Sequence, residues 1–140
     1  MPFAMSDYLE SGLYNHIFRN ATYSKPTTIS IALCGNVPTE SSTGASCGEL
    51  ANTGSYARIP NASGDAFWSH IIAGSGNNAA TITFPTATSN WGYVSGVAIC
   101  DSNTYGAGNM LMYGALTTPR LVLNGDTFTF SANNVSVSFD

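Results

Sequence analysis

The sequence has 140 residues, of which 44% are hydrophobic and only 9% charged, with four Lys or Arg against eight Asp or Glu and a formal net charge of −4. Charged residues make up about 25% of typical domains, and disordered chains combine few apolar residues with much charge, so this balance excludes disorder. Four basic residues, Arg19, Lys25, Arg58 and Arg120, are too few to line a phosphate-binding face, which argues against a nucleic-acid partner.

The N-terminal "MPFAMSDYLESG" has no basic stretch followed by an apolar core and does not read as a secretory signal. A short α-helix is expected over residues 6–19. Ser6 and Asp7 suit its start, and Leu9, Leu13 and Ile17 form a stripe at spacing four, with Tyr14 and Phe18 beside it. Gly12 weakens that helix by about 1 kcal/mol relative to Ala. After Pro26 the period changes. "TTISIALCG" alternates Ile29, Ile31 and Leu33 with small or polar residues, as a strand with one buried face does. Residues 36–54 have no periodicity and read as a long loop of the kind that is functional or ordered by a partner.

"SYARIP" reads as a short strand closed by Pro60. "DAFWSHIIAG" is ambiguous between strand and turn, with Phe67, Ile71 and Ile72 facing inward. "ATITFP" and "YVSGVAICD" are strands that bury Phe84, Val97 and Ile99, and "MLMYGAL" is a strong apolar strand, placed centrally, carrying Leu111 and Tyr113. "PRLVLNGDTFTFS" carries the strongest short hairpin signal, Asn124-Gly125 between Leu121/Leu123 and Phe128/Phe130, because both turn residues accept positive φ. "NNVSVSFD" aligns Val135, Val137 and Phe139. One helix and about eight short strands, from about residue 27 onward, predict a mainly β chain: a single-domain antiparallel sandwich or barrel spanning residues 1–140. Its predicted core is Ile31, Leu33, Phe84, Trp91, Val97, Ile99, Leu111, Tyr113, Leu123, Phe128, Phe130 and Val137.

Nothing in the sequence assembles into catalytic chemistry. His16 and His70 have no acidic neighbour at useful spacing, and no nucleophile elbow or phosphate-binding loop is present. Cys34, Cys47, His70 and Cys100 lack metal-ligand spacing, so no metal and no cofactor is expected. Three cysteines cannot pair completely within one chain. Cys34 and Cys100 sit in apolar runs and read as buried thiols, with a Cys34–Cys47 bond as the alternative. No run of 18 apolar residues is present, so no membrane helix is expected. Tyr56, Trp68, Trp91, Tyr93, Tyr105 and Tyr113 offer a stacking surface for a sugar, or else fill the core.

The text "SDYLESGLYNHIF", "GNVPT", "YARI", "ATITFPTAT…W", "MYGAL" and "NGDTFTF", ending in a strand and Asp140, resembles a family of small tailed-bacteriophage virion structural proteins, of tail-fibre or capsid-decoration (cement) type. The resemblance covers nearly the whole chain. It implies a β-rich, non-enzymatic subunit of the virion, assembled in the host cytoplasm. The expected role is a decoration protein on the outer surface of the phage head that stabilises the shell across copies of the major capsid protein. A tail-fibre or tail-tip component, with a host glycan as receptor, is the alternative. Copies of the chain itself, two or three, are the other expected partners. The contact residues expected for such assembly are Phe3, Met5, Tyr8, Leu9, Leu13, Ile17, Glu40 and Glu49, on the N-terminal segment and the long loop.

Overall fold

The computed structural model describes residues 2–62, 64 and 66–139. A short strand, β1 (Pro2–Met5), precedes the helix α1 (Asp7–Phe18). Ser6 caps the helix by accepting from the Leu9 amide at 3.3 Å, and its own hydroxyl donates to the Met110 carbonyl. Asp7 and Glu10 occupy the first turn, where negative charge complements the helix dipole. Gly12 is explained by Tyr23: a Cβ there would lie 2.7 Å from the tyrosine ring. The stripe docks only at its N-terminal end. Leu9 is buried and Leu13 half-buried, whereas Ile17 is 67% exposed, because the chain leaves the sheet after Leu13.

The strands β2 (Thr28–Cys34), β3 (Ile59–Ala62), β4 (Ser75–Asn77), β5 (Ile82–Thr83), β6 (Gly92–Cys100), β7 (Met110–Val122), β8 (Thr129–Phe130) and β9 (Ser136–Ser138) follow. Seven form one curled sheet in the order β3-β2-β6-β7-β1-β9-β4, and β5 pairs with β8 in a small second sheet. The apolar β7 is central, as expected. The sheet is antiparallel except between β1 and β9, which run parallel. β1 itself, unanticipated because Pro2 and its three-residue follow-on are too short to show a period, joins β7 to β9.

Both sheets share one core, which holds Phe3, Ile31, Leu33, Phe84, Val97, Ile99, Leu111, Phe128 and Phe130, with Trp91 and Val137 half-buried against it. The rings of Phe84, Phe128 and Phe130 meet edge to face at 5.0–6.5 Å. β2 and β6 differ from expectation in burying both faces. Ala32, Cys34, Ala98 and Cys100 form a second core with Cys47 and Met110, and Tyr113 packs against it half-buried. The long loop covers that second face.

Three further expectations are corrected. Leu123 is 44% exposed rather than in the core. Val122 is the inward residue, since Gly92↔Val122 and Tyr93↔Leu121 set the register, and a one-residue offset exchanges the faces. The Asn124-Gly125 turn is not a hairpin. The Asp126 amide bonds to the Leu123 carbonyl at 3.0 Å and only Gly125 has positive φ (+91°), so the turn is of type II, and β7 and β8 part to different sheets. Ile71 and Ile72 point outward, not inward. They lead into a two-residue turn in which Ala73 (φ +53°) and Gly74 (φ +80°) are both left-handed and Ile72 and Ser75 exchange backbone hydrogen bonds at 2.9 and 3.2 Å. That is a type I′ hairpin.

Candidate functional site

The densest polar constellation lies where the long loop meets the second core. Tyr56 and Arg58 alternate along an extended stretch and so point the same way, toward Glu49. Glu49 is placed by the loop's return: Gly35 N–H bonds to Gly48 O and Leu50 N–H to Leu33 O, both at 3.0 Å, adding one antiparallel rung that pairs Glu49 with Cys34. Gly48, at φ +74°, makes that return possible.

Arg58 is buried, and each of its five donors is used. Nε and one Nη2 hydrogen meet the two oxygens of Glu49 at 2.9 and 2.8 Å; the others reach the carbonyls of Gly44 (2.9 Å), Ser102 (2.8 Å) and Ala107 (2.9 Å). Glu49 in turn accepts from the Tyr56 hydroxyl at 2.9 Å and the Gly106 amide at 3.2 Å. Tyr56 O–H accepts the Leu33 amide at 3.0 Å. Burial, then the Glu49 charge, push the Tyr56 phenol far up. No donor of Arg58 is left to offer a ligand, so the arrangement is a clamp that ties the β2–β3 loop to the β6–β7 loop. The loop, expected to be functional or ordered by a partner, is bonded to Arg58 of the same chain through Gly44 and Glu49.

Cys34, Cys47 and Cys100 are brought together beneath this clamp as free thiols, not as a Cys34–Cys47 bond. The Cys47 thiol donates to the Gly44 carbonyl at 3.8 Å, and the neighbouring Cys100 and Cys34 thiols, with the Arg58 charge, pull Cys47 down. Cys34 and Cys100 are pushed up by bonding to Cys47 and by burial. Among the described residues, no group of three or more His, Cys, Asp or Glu is arranged to hold a metal ion.

The expected contact residues divide. Phe3 and Leu9 are buried in the chain's own core, and Glu49 is consumed by Arg58, so none of these three side chains is available to a partner. Met5 and Leu13 are half-buried; Tyr8, Ile17 and Glu40 stay on the surface. The six aromatic residues offered as a sugar platform do not form one. Tyr56 is buried edge-on to Trp91 and Tyr105, at 5.4 and 6.3 Å, while Trp68 belongs to a different region. His16 Nδ1 accepts the Tyr23 amide at 3.2 Å, and His70 is exposed.

Among the hollows that open on the surface of the described residues, two differ sharply in character. One, of about 310 Å³, is apolar and is lined in part by Trp68, Ile71, Leu111, Met112, Val137 and Phe139. The other, of about 370 Å³, is polar and includes Thr117, Thr118, Arg120, Thr129 and Asn134. Among the described residues no helix is long and apolar enough to cross a membrane.

Residues 4–138 match the family model described as Gp80, podophage GP4 fiber I protein gp80. The chain belongs to this family. It is therefore a bacteriophage virion structural protein of fibre type. The match takes in the clamp, both sheets and the helix. No curated protein matches the chain.

Proposed function

We propose that the protein is a non-enzymatic subunit carried on the outside of a tailed-phage particle as a component of its fibre apparatus. The observation that carries this reading is the family match, which runs from β1 to β9. The internal chemistry supports it: the most polar buried site spends its donors on the chain's own carbonyls and on Glu49. These 140 residues carry no internal repeat, so the repetition that gives a fibre its length lies outside them.

Capsid decoration is the second reading. It is favoured by the compact, charge-poor β unit, which suits a subunit that binds an assembled lattice and stabilises it by mass action. In that reading the partner is the major capsid protein; in the fibre reading a host glycan is the candidate ligand. The polar hollow around Arg120 is better suited to a sugar than the dispersed aromatic residues, because hydroxyl, amide and guanidinium groups converge there.

Immunogold labelling of intact particles tests the assignment. Gold at the tail is the expected result. Gold distributed over the head replaces the fibre reading with decoration, and absence of the protein from purified particles overturns both.

A further inference from the structure

The seven-stranded sheet has two margins, and they are finished differently. At one, β3 carries Pro60, which has no N–H to offer a further strand. At the other, β4 is covered by the segment Phe67–Ile72. The Ser69 amide donates to Asn77 O and the Ala79 amide to Phe67 O, both at 2.8 Å, and Ile72 pairs with Ser75. This segment is the true edge. Among the described residues, neither His70 nor Ile71 makes a backbone hydrogen bond.

Natural sheets blunt such edges with Lys, Pro or inward charge. From Ala66 to Asn78 there is no Asp, Glu, Lys or Arg and no Pro. The edge instead displays Ile71 at 56% and Ile72 at 79% exposure, next to Phe139 at 47%. Ile71 and Phe139 also rim the apolar hollow. The type I′ turn holds this edge in place by keeping Ala73 in a left-handed conformation that alanine seldom adopts. An open backbone, an apolar rim and a strained turn thus coincide at one site.

We propose that this edge pairs with the same edge of a second copy, antiparallel about a two-fold axis, extending the sheet across two chains. A two-fold axis makes the patch its own complement: the free N–H and C=O groups of one His70–Ile71 stretch meet those of the other, and each hollow is closed by the partner's isoleucines. The uncharged segment creates no repulsion against itself. Pairing with the opposite margin of another copy is obstructed by Pro60, so the contact closes at two copies and does not run on as a filament. The inference rests on reading the chain as an assembly subunit, but its test uses the purified protein and does not depend on where in the particle the subunit sits.

Sedimentation equilibrium over a wide range of concentration tests it. The wild type is expected at about twice the 14.6 kDa of one chain. Ile71→Pro removes a backbone donor that makes no bond among the described residues, and Ile72→Lys places a charge on the edge while leaving every backbone donor in place. Both are expected to sediment at half the wild-type mass with unchanged far-UV circular dichroism. If Ile71→Pro alone loses its fold, Ile72→Lys decides. A monomeric or trimeric wild type overturns the proposal, as does a dimer that folded Ile71→Pro or Ile72→Lys leaves intact.

Discussion

Arg58 and Glu49 set each other's requirements. A buried guanidinium with its carboxylate removed is an uncompensated charge, and breaking one side of a buried pair costs about 3–5 kcal/mol. Glu49→Ala is therefore expected to lower unfolding free energy by about that amount, measured by urea titration with circular dichroism, and to loosen the loops through Gly44 and Ala107 that Arg58 holds. A loss below about 1 kcal/mol, the level of an exposed ion pair, shows that the clamp is not under tension. The pair was only half legible in the sequence. The Tyr56–Arg58 alternation was visible, and alternation places two side chains on one face. Their carboxylate partner was not, because Glu49 lies in a stretch without periodicity and is positioned by a rung added to β2. Leu123 failed for a related reason. Apolar alternation identifies a strand but not which of its two faces is buried, and only pairing with β6 fixes that.

At the scale of elements, turns separate what local sequence decides from what it does not. Asn124-Gly125 has the composition of a hairpin turn yet reverses the chain without pairing its flanks, because β7 ends in the large sheet beside β6 while β8 goes on to pair with β5 in the small one. Ala73-Gly74 lacks that composition and makes the type I′ turn. Tertiary pairing overrode preference in both. The strain at Ala73 is measurable. A left-handed non-glycine residue costs on the order of 1 kcal/mol, so Ala73→Gly is expected to raise stability by up to about 1 kcal/mol, offset in part by the greater freedom of glycine in the unfolded chain. An unchanged or lowered denaturation midpoint contradicts the assignment of strain. The helix, by contrast, was legible almost to the residue. Its cap, acidic first turn and stripe are local signals, and the capped Asp7–Phe18 element follows from them.

For the whole molecule, the low charge and the two-sided burial of β2 and β6 belong together. The sheet is covered on one face by the second sheet and, at β2 and β6, on the other by the clamped loop, and exposed apolar residues lie at the helix end, at the Phe67–Ile72 edge and along Tyr93, Leu121 and Leu123. The fold class was readable from strand count and turn spacing; the second core was not, since the loop that covers it has no pattern of its own. Joining two copies through the edge has a thermodynamic consequence. When two folded chains unfold to separate ones, stability depends on concentration, at about 1.4 kcal/mol per tenfold. Unfolding entropy runs at about 2 cal/mol/K per residue, or roughly 0.6 kcal/mol/K for the pair, so the melting temperature should rise by about 2–3 °C for each tenfold increase in protein. Scanning calorimetry at several concentrations reads this directly. Ile72→Lys should melt at a temperature independent of concentration, below the wild type at high concentration and converging with it on dilution. A concentration-independent wild type means that each chain's stability is complete within its own two cores.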